Sequence, residues 1–134
     1  MDFPLIVSHL QHRLPRLMAV YAFGSRVREQ GQHARPDSDL DLAVLVEGLA
    51  DPVQLFELAG SLSDLAGCVV DLVDLRAASS VMQHQILMHG QRLWASDVRA
   101  GLVEAAMMTE KLHLDEARSG LIQSVMERGV VYGR

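Results

Sequence analysis

Three apolar runs of strand length, Leu17–Phe23, Leu40–Val46 and Cys68–Leu75, constrain this chain more than any other feature. Each is too short to span a membrane. Each is also continuous enough to read as a buried strand, which needs helical cover. The segments between them can supply it. Leu5, Ile6, Leu10 and Leu14 share one helix face, and Pro15 ends that helix. Asp51-Pro52 reads as an N-cap with proline in the first turn, opening a helix from Val53 to Ala66 that stops at Gly67. A helix from about Ala77 to His89 ends at Gly90, and Arg92–Ala95 reads as a short fourth strand. Asp97 caps a helical region from about Val98 to about Arg128. Strands alternating with helices predict an α/β (α+β) sheet with helices on one or both faces.

Length and charge narrow the function. At 134 residues the chain is expected to form one domain, with a core over about 1–96 and a helical extension over about 97–134. A net charge of -5 argues against binding a DNA duplex, whose affinity comes from Lys and Arg. The single cysteine, Cys68, cannot pair internally, which points to a reducing cytoplasm. The first residues, Met1-Asp2-Phe3-Pro4-Leu5, carry neither a basic lead nor a long apolar stretch, so no membrane association is expected.

The chemistry is concentrated in Ser38-Asp39-Leu40-Asp41-Leu42, at the entrance to an otherwise apolar strand. Residues two apart on a strand share a face, so Asp39 and Asp41 present two carboxylates side by side. Such a pair repels itself unless a cation intervenes, and oxygen-only ligands suit Mg²⁺ or Mn²⁺. An EF-hand is excluded, because counting from Asp37 the sixth and twelfth positions are Leu42 and Gly48 rather than Gly and Glu. A third carboxylate comes from Asp71 or Asp74. Asp71, between Val70 and Leu72, is the better candidate; Asp74, three residues on, points to the other face and suits a cap.

Gly24-Ser25-Arg26 follows the first strand directly. Glycine admits a ligand close to the backbone, a helix opening here would offer free N–H groups, and Ser25 and Arg26 add donors for phosphate oxygens. No G-x-x-x-x-G-K-[ST] loop is present. Histidines are six, but no H-E-x-x-H or cysteine cluster accompanies them, so helix-packing or surface roles are expected.

Strand, Gly-Ser, loop, Asp-x-Asp and a later strand aspartate together resemble the nucleotidyltransferase superfamily of DNA polymerase beta. The chain is most similar to the minimal nucleotidyltransferases that serve as antitoxins in HEPN/MNT toxin–antitoxin pairs. The likeness runs from about Met18 to Leu93 and includes Ala34–Leu45 and Val70–Leu75. The thirteen residues between Ser25 and Asp39 exceed the usual family spacing, so an enlarged loop around Arg28 to His33 is expected.

The resemblance implies a small mixed sheet flanked by helices and a transfer of AMP from ATP. It also implies two Mg²⁺ ions on Asp39, Asp41 and Asp71, with Asp71 helping to remove the acceptor proton. Gly24 and Ser25 would hold the triphosphate, with Arg26 in support. The implied partner is a HEPN-type ribonuclease toxin, modified on a hydroxyl, that of a tyrosine. A small-molecule acceptor such as an aminoglycoside, and a non-catalytic antitoxin that acts by binding alone, are the alternatives. Leu114, Leu121 and Val125 on one stripe, with Leu102, Met108, Leu112, Ile122 and Met126 around it, give the extension more apolar surface than a small domain can cover, which suits a protein partner.

Overall fold

The computed structural model describes residues 2–27, 38–110 and 112. Four helices and four strands run along it: α1 (Phe3–Arg13), β1 (Leu17–Phe23), β2 (Leu40–Val46), α2 (Pro52–Ala66), β3 (Val70–Asp74), α3 (Ser80–His89), β4 (Gln91–Ala95) and α4 (98–110). The expected loop around Arg28 to His33 lies outside the described residues. So does the tail bearing Leu114, Leu121, Ile122, Val125 and Met126.

Local chemistry explains the helix ends. Asp2 caps α1 by accepting from Leu5 N–H, and Asp51 caps α2 by accepting from Val53 N–H. Gly67, at φ +73°, closes α2 in the left-handed region where a side chain is disfavoured. Ser79 caps α3 through Met82 N–H. That cap explains why α3 starts at Ser80 rather than near Ala77. Residues 75–77 are turn, and the C=O of Asp74 accepts from the N–H groups of Ala77 and Ala78.

The strands form one mixed sheet in the order β3-β2-β1-β4. β1 runs antiparallel to β2 and β4, while β2 and β3 are parallel and joined through α2. Val20, Ala22, Leu42 and Val44 pack on α1 and α2 through Ile6, Leu10, Leu55, Leu58 and Leu62. The opposite face, with Ala19, Tyr21, Ala43 and Leu45, packs on Ile86 of α3 and Ala100 of α4. Cover on both sides is what the continuous apolar runs require. Among the described residues, no helix is long and apolar enough to cross a membrane.

Polar contacts through Glu104 tie α4 to the sheet. Tyr21 Oη donates to Glu104, whose carboxylate also pairs with Arg92 of β4 at 3.1 Å. Burial, then the Glu104 carboxylate, pushes the Tyr21 hydroxyl well above its usual range, so it stays a donor. Tyr21→Phe is expected to cost about 1 kcal/mol by removing this bond. Urea denaturation of parent and variant checks it.

Candidate active site

Register brings the motif residues together. Phe23 on β1 pairs with Asp41 on β2, and Asp41 pairs with Asp71 on β3. The turn that follows Phe23 therefore lies beside two adjacent aspartates. All three positions share the face toward α3 and α4, since Ala43 and Val73, two residues beyond each aspartate, pack there. Asp39, just ahead of β2, is exposed and of the same parity as Asp41.

The electrostatics record this crowding. The Asp41 carboxyl is raised above its ordinary value, first by burial, then by the charges of Asp71 and Asp39, and by a hydrogen bond with Asp71. Among the described residues, no three His, Cys, Asp or Glu side chains form a ready cation cage. Asp41 and Asp71 are within hydrogen-bonding reach, while Asp39 adds charge from the strand head. This oxygen-only donor set, with its excess negative charge, fits a hard divalent cation.

Gly24 has φ +82°, and a Cβ there would overlap Asp41 Oδ2 and stand 3.2 Å from Asp41 Cγ. Its lack of a side chain is therefore required by the neighbouring carboxylate as well as by the turn itself. Gly24 C=O accepts from Val27 N–H at 3.2 Å, so the chain turns here without a helix among residues 24–27. Ser25 is exposed on this turn. Arg26 Nε donates to Ser38 C=O at 2.8 Å, fastening the turn to the residue before Asp39. Nothing in the local sequence signals that contact, because its partner is a backbone carbonyl 12 residues away.

Asp71 and Asp74 take different parts. Asp71 was expected inside a covered run; it is exposed, because β3 is an outer strand of the sheet. Asp74 is buried on the other face, accepting from Ala50 N–H at 2.9 Å and from Arg76 N–H at 3.0 Å. It caps the turn after β3, and it also ties that turn to the segment leading into α2. Asp74→Asn replaces one acceptor oxygen by an amide donor facing a backbone N–H. It is expected to cost about 1–3 kcal/mol while keeping most nucleotide transfer. Asp71→Asn should lose transfer and melt no lower than the parent. Paired melting and transfer assays separate the two. Among the described histidines, His9 and His84 sit half-buried in α1 and α3, and His12 Nδ1 lies 3.0 Å from Ser8 C=O; His33 and His113 lie outside the described residues.

The profile of the family described as "Polymerase beta, Nucleotidyltransferase" matches residues 6–99. The chain belongs to the polymerase beta nucleotidyltransferase family. Within it, the chain is similar to the protein adenylyltransferase MntA of Shewanella oneidensis, at 36% identity over 121 residues, 90% of this chain and 85% of that protein. A crystal structure of a toxin–antitoxin with AMP-PNP aligns at TM-score 0.80 and 33% identity, over 94% of this chain and 99% of that one. A chain from the complex of tri-AMPylated Shewanella oneidensis HEPN toxin with MNT antitoxin aligns at TM-score 0.73 and 31% identity, over 92% and 95%. For this nucleotidyltransferase the matched region takes in β1 to β4, the Gly24 turn and the carboxylates of Asp39, Asp41 and Asp71.

Proposed function

We propose that this nucleotidyltransferase is a protein adenylyltransferase and antitoxin, which moves AMP from ATP to a hydroxyl, that of a tyrosine, on a HEPN-type ribonuclease toxin. The observation that carries the reading is the Gly24 turn set against the Asp41–Asp71 pair, in a chain so similar to MntA along its length.

The acceptor oxygen bonds to the α-phosphorus of ATP, the bond from that phosphorus to the β-phosphate oxygen breaks, and pyrophosphate leaves. Asp39, Asp41 and Asp71 are the residues that would hold Mg²⁺, as one or two ions. Bound there, Mg²⁺ supplies positive charge for the triphosphate and acidifies the acceptor hydroxyl. Gly24 and Ser25 receive the β- and γ-phosphates, and Arg26 supports them from its anchor on Ser38. Asp71, exposed and on the outer strand, accepts the acceptor proton. The reaction needs positioning and charge neutralisation more than covalent chemistry. A cytoplasmic setting suits both the ATP and the lone Cys68.

Co-expression with the cognate HEPN toxin, followed by intact mass measurement, tests the reading. Toxin heavier by one or more AMP units supports it. Unmodified toxin that is still neutralised by the Asp39→Asn variant would show inhibition by binding alone.

A further inference from the structure

β3 is an end strand of the described sheet, and among the described residues its outer edge carries open backbone groups. In a parallel ladder alternate residues bond to the neighbouring strand. Leu40 N–H donates to Val69 C=O and Leu75 N–H donates to Val44 C=O, both at 2.9 Å. Odd-numbered positions of β3 therefore face β2, and even-numbered ones face outward. The outward N–H of Val70 is already taken by Ser63 Oγ at 2.9 Å. Both backbone groups of Leu72 and the N–H of Asp74 remain on the open edge. Among the described residues, no strand pairs with it.

Beside this edge runs a groove of about 930 Å³ between α2, β3 and the start of α3. Phe56, Leu49 and Val69 line it and are 82%, 65% and 58% exposed. Large apolar side chains left this open beside an unpaired strand are a template for another chain. The groove is charged in one sense only. Among the described residues, its lining includes Asp71 and Asp74 and no Lys or Arg. Glu57 and Asp64, both exposed, flank the Phe56–Gly60–Ser63 stripe of α2 on its solvent side by helical spacing. Asp71 belongs both to this groove and to the carboxylate group, so the groove leads into the active site.

We infer that the acceptor polypeptide binds as an added strand along the outer edge of β3. Its apolar side chains enter the groove, its Lys or Arg side chains meet Glu57 and Asp64, and its hydroxyl residue lies on the Asp71 face. Directly opposed residues of paired strands have Cβ atoms about 4.5–5.5 Å apart, which puts an acceptor side chain opposite Asp71 within reach of the carboxylates. Main-chain bonds supply affinity and the groove supplies selection. This deepens the proposed function and rests on its reading that the acceptor is a protein.

The test uses the full-length chain with the cognate HEPN toxin. Phe56→Lys and Val69→Lys, at exposed positions that leave the fold intact, should each weaken the complex and raise the KM for toxin about tenfold or more. Their ATP affinity and melting temperature should match the parent. Amide exchange at Leu72 and Asp74 should slow when toxin binds. Unchanged toxin affinity in both variants, or unchanged exchange at both amides, overturns the inference. So does slow exchange in the chain alone. If that slowing depends on concentration, a second copy holds the edge; if not, another part of this chain does. Toxin that binds but never gains AMP refutes the proposed transfer, and the binding and exchange data then judge the groove separately.

Discussion

Asp39→Asn and Asp41→Asn are each expected to lower AMP transfer by roughly a hundred- to a thousandfold, the range seen when one preorganised charge-stabilising group is lost. The proteins should remain folded. Asp41 is the more informative of the two, because its carboxylate is held at a cost: burial, Asp71 and Asp39 all disfavour its charged form. The sign of the stability effect follows. A carboxyl whose pKa is raised by folding binds its proton more tightly in the folded state. Its stabilising contribution is complete below the ordinary value of 3.8 and is lost as pH rises through the raised pKa. Without divalent metal, Asp41→Asn should therefore melt above the parent at pH 7, and the gain should shrink as pH falls toward 4. Melting curves at several pH values, with and without Mg²⁺, would show it. Full transfer activity in both variants would remove the carboxylates from the mechanism.

Gly24→Val is expected to have the largest combined effect on stability and activity. On sequence grounds, the side chain would intrude on the phosphate path. The structure adds a nearer obstacle, since the new Cβ would overlap Asp41 Oδ2. The positive φ of 82° is a second penalty, and a β-branched residue held there costs about 1–3 kcal/mol. A domain of this size loses roughly 2–8 °C of melting temperature for each kcal/mol. Relief comes from the Asp41 side chain swinging aside or from the turn moving away from β2, and either change separates the proposed phosphate cradle from the carboxylates. ATP binding should fall along with stability. Gly24→Ala keeps both penalties without the branched bulk and should fall between parent and Gly24→Val. Unchanged ATP affinity in Gly24→Val would place the nucleotide elsewhere.

The legible part of the site was the part written in alternation. Asp39 and Asp41 share a face because strands have a period of two. The choice of Asp71 over Asp74 rested on the same parity, and the burial of Asp74 against Ala50 and Arg76 agrees with it. Asp71 is exposed because β3 is outermost, and an apolar run does not say whether its strand is central or at the edge. Arg26 was read as a phosphate donor; its bond to Ser38 C=O was invisible, since a carbonyl has no sequence signature.

By itself the sequence determined the elements, their caps and the residue types of the site. Those properties depend on neighbours along the chain: the period of apolar residues, the hydroxyl or carboxylate before a helix, the glycine after one. Only the tertiary structure decided that β3 is an edge, that Phe23, Asp41 and Asp71 stand in adjacent register, and that Gly24 lies against Asp41. Strand order and register come from which faces are buried against α1, α2, α3 and α4 together. That is a property of the whole packed core, which no local stretch of the chain encodes.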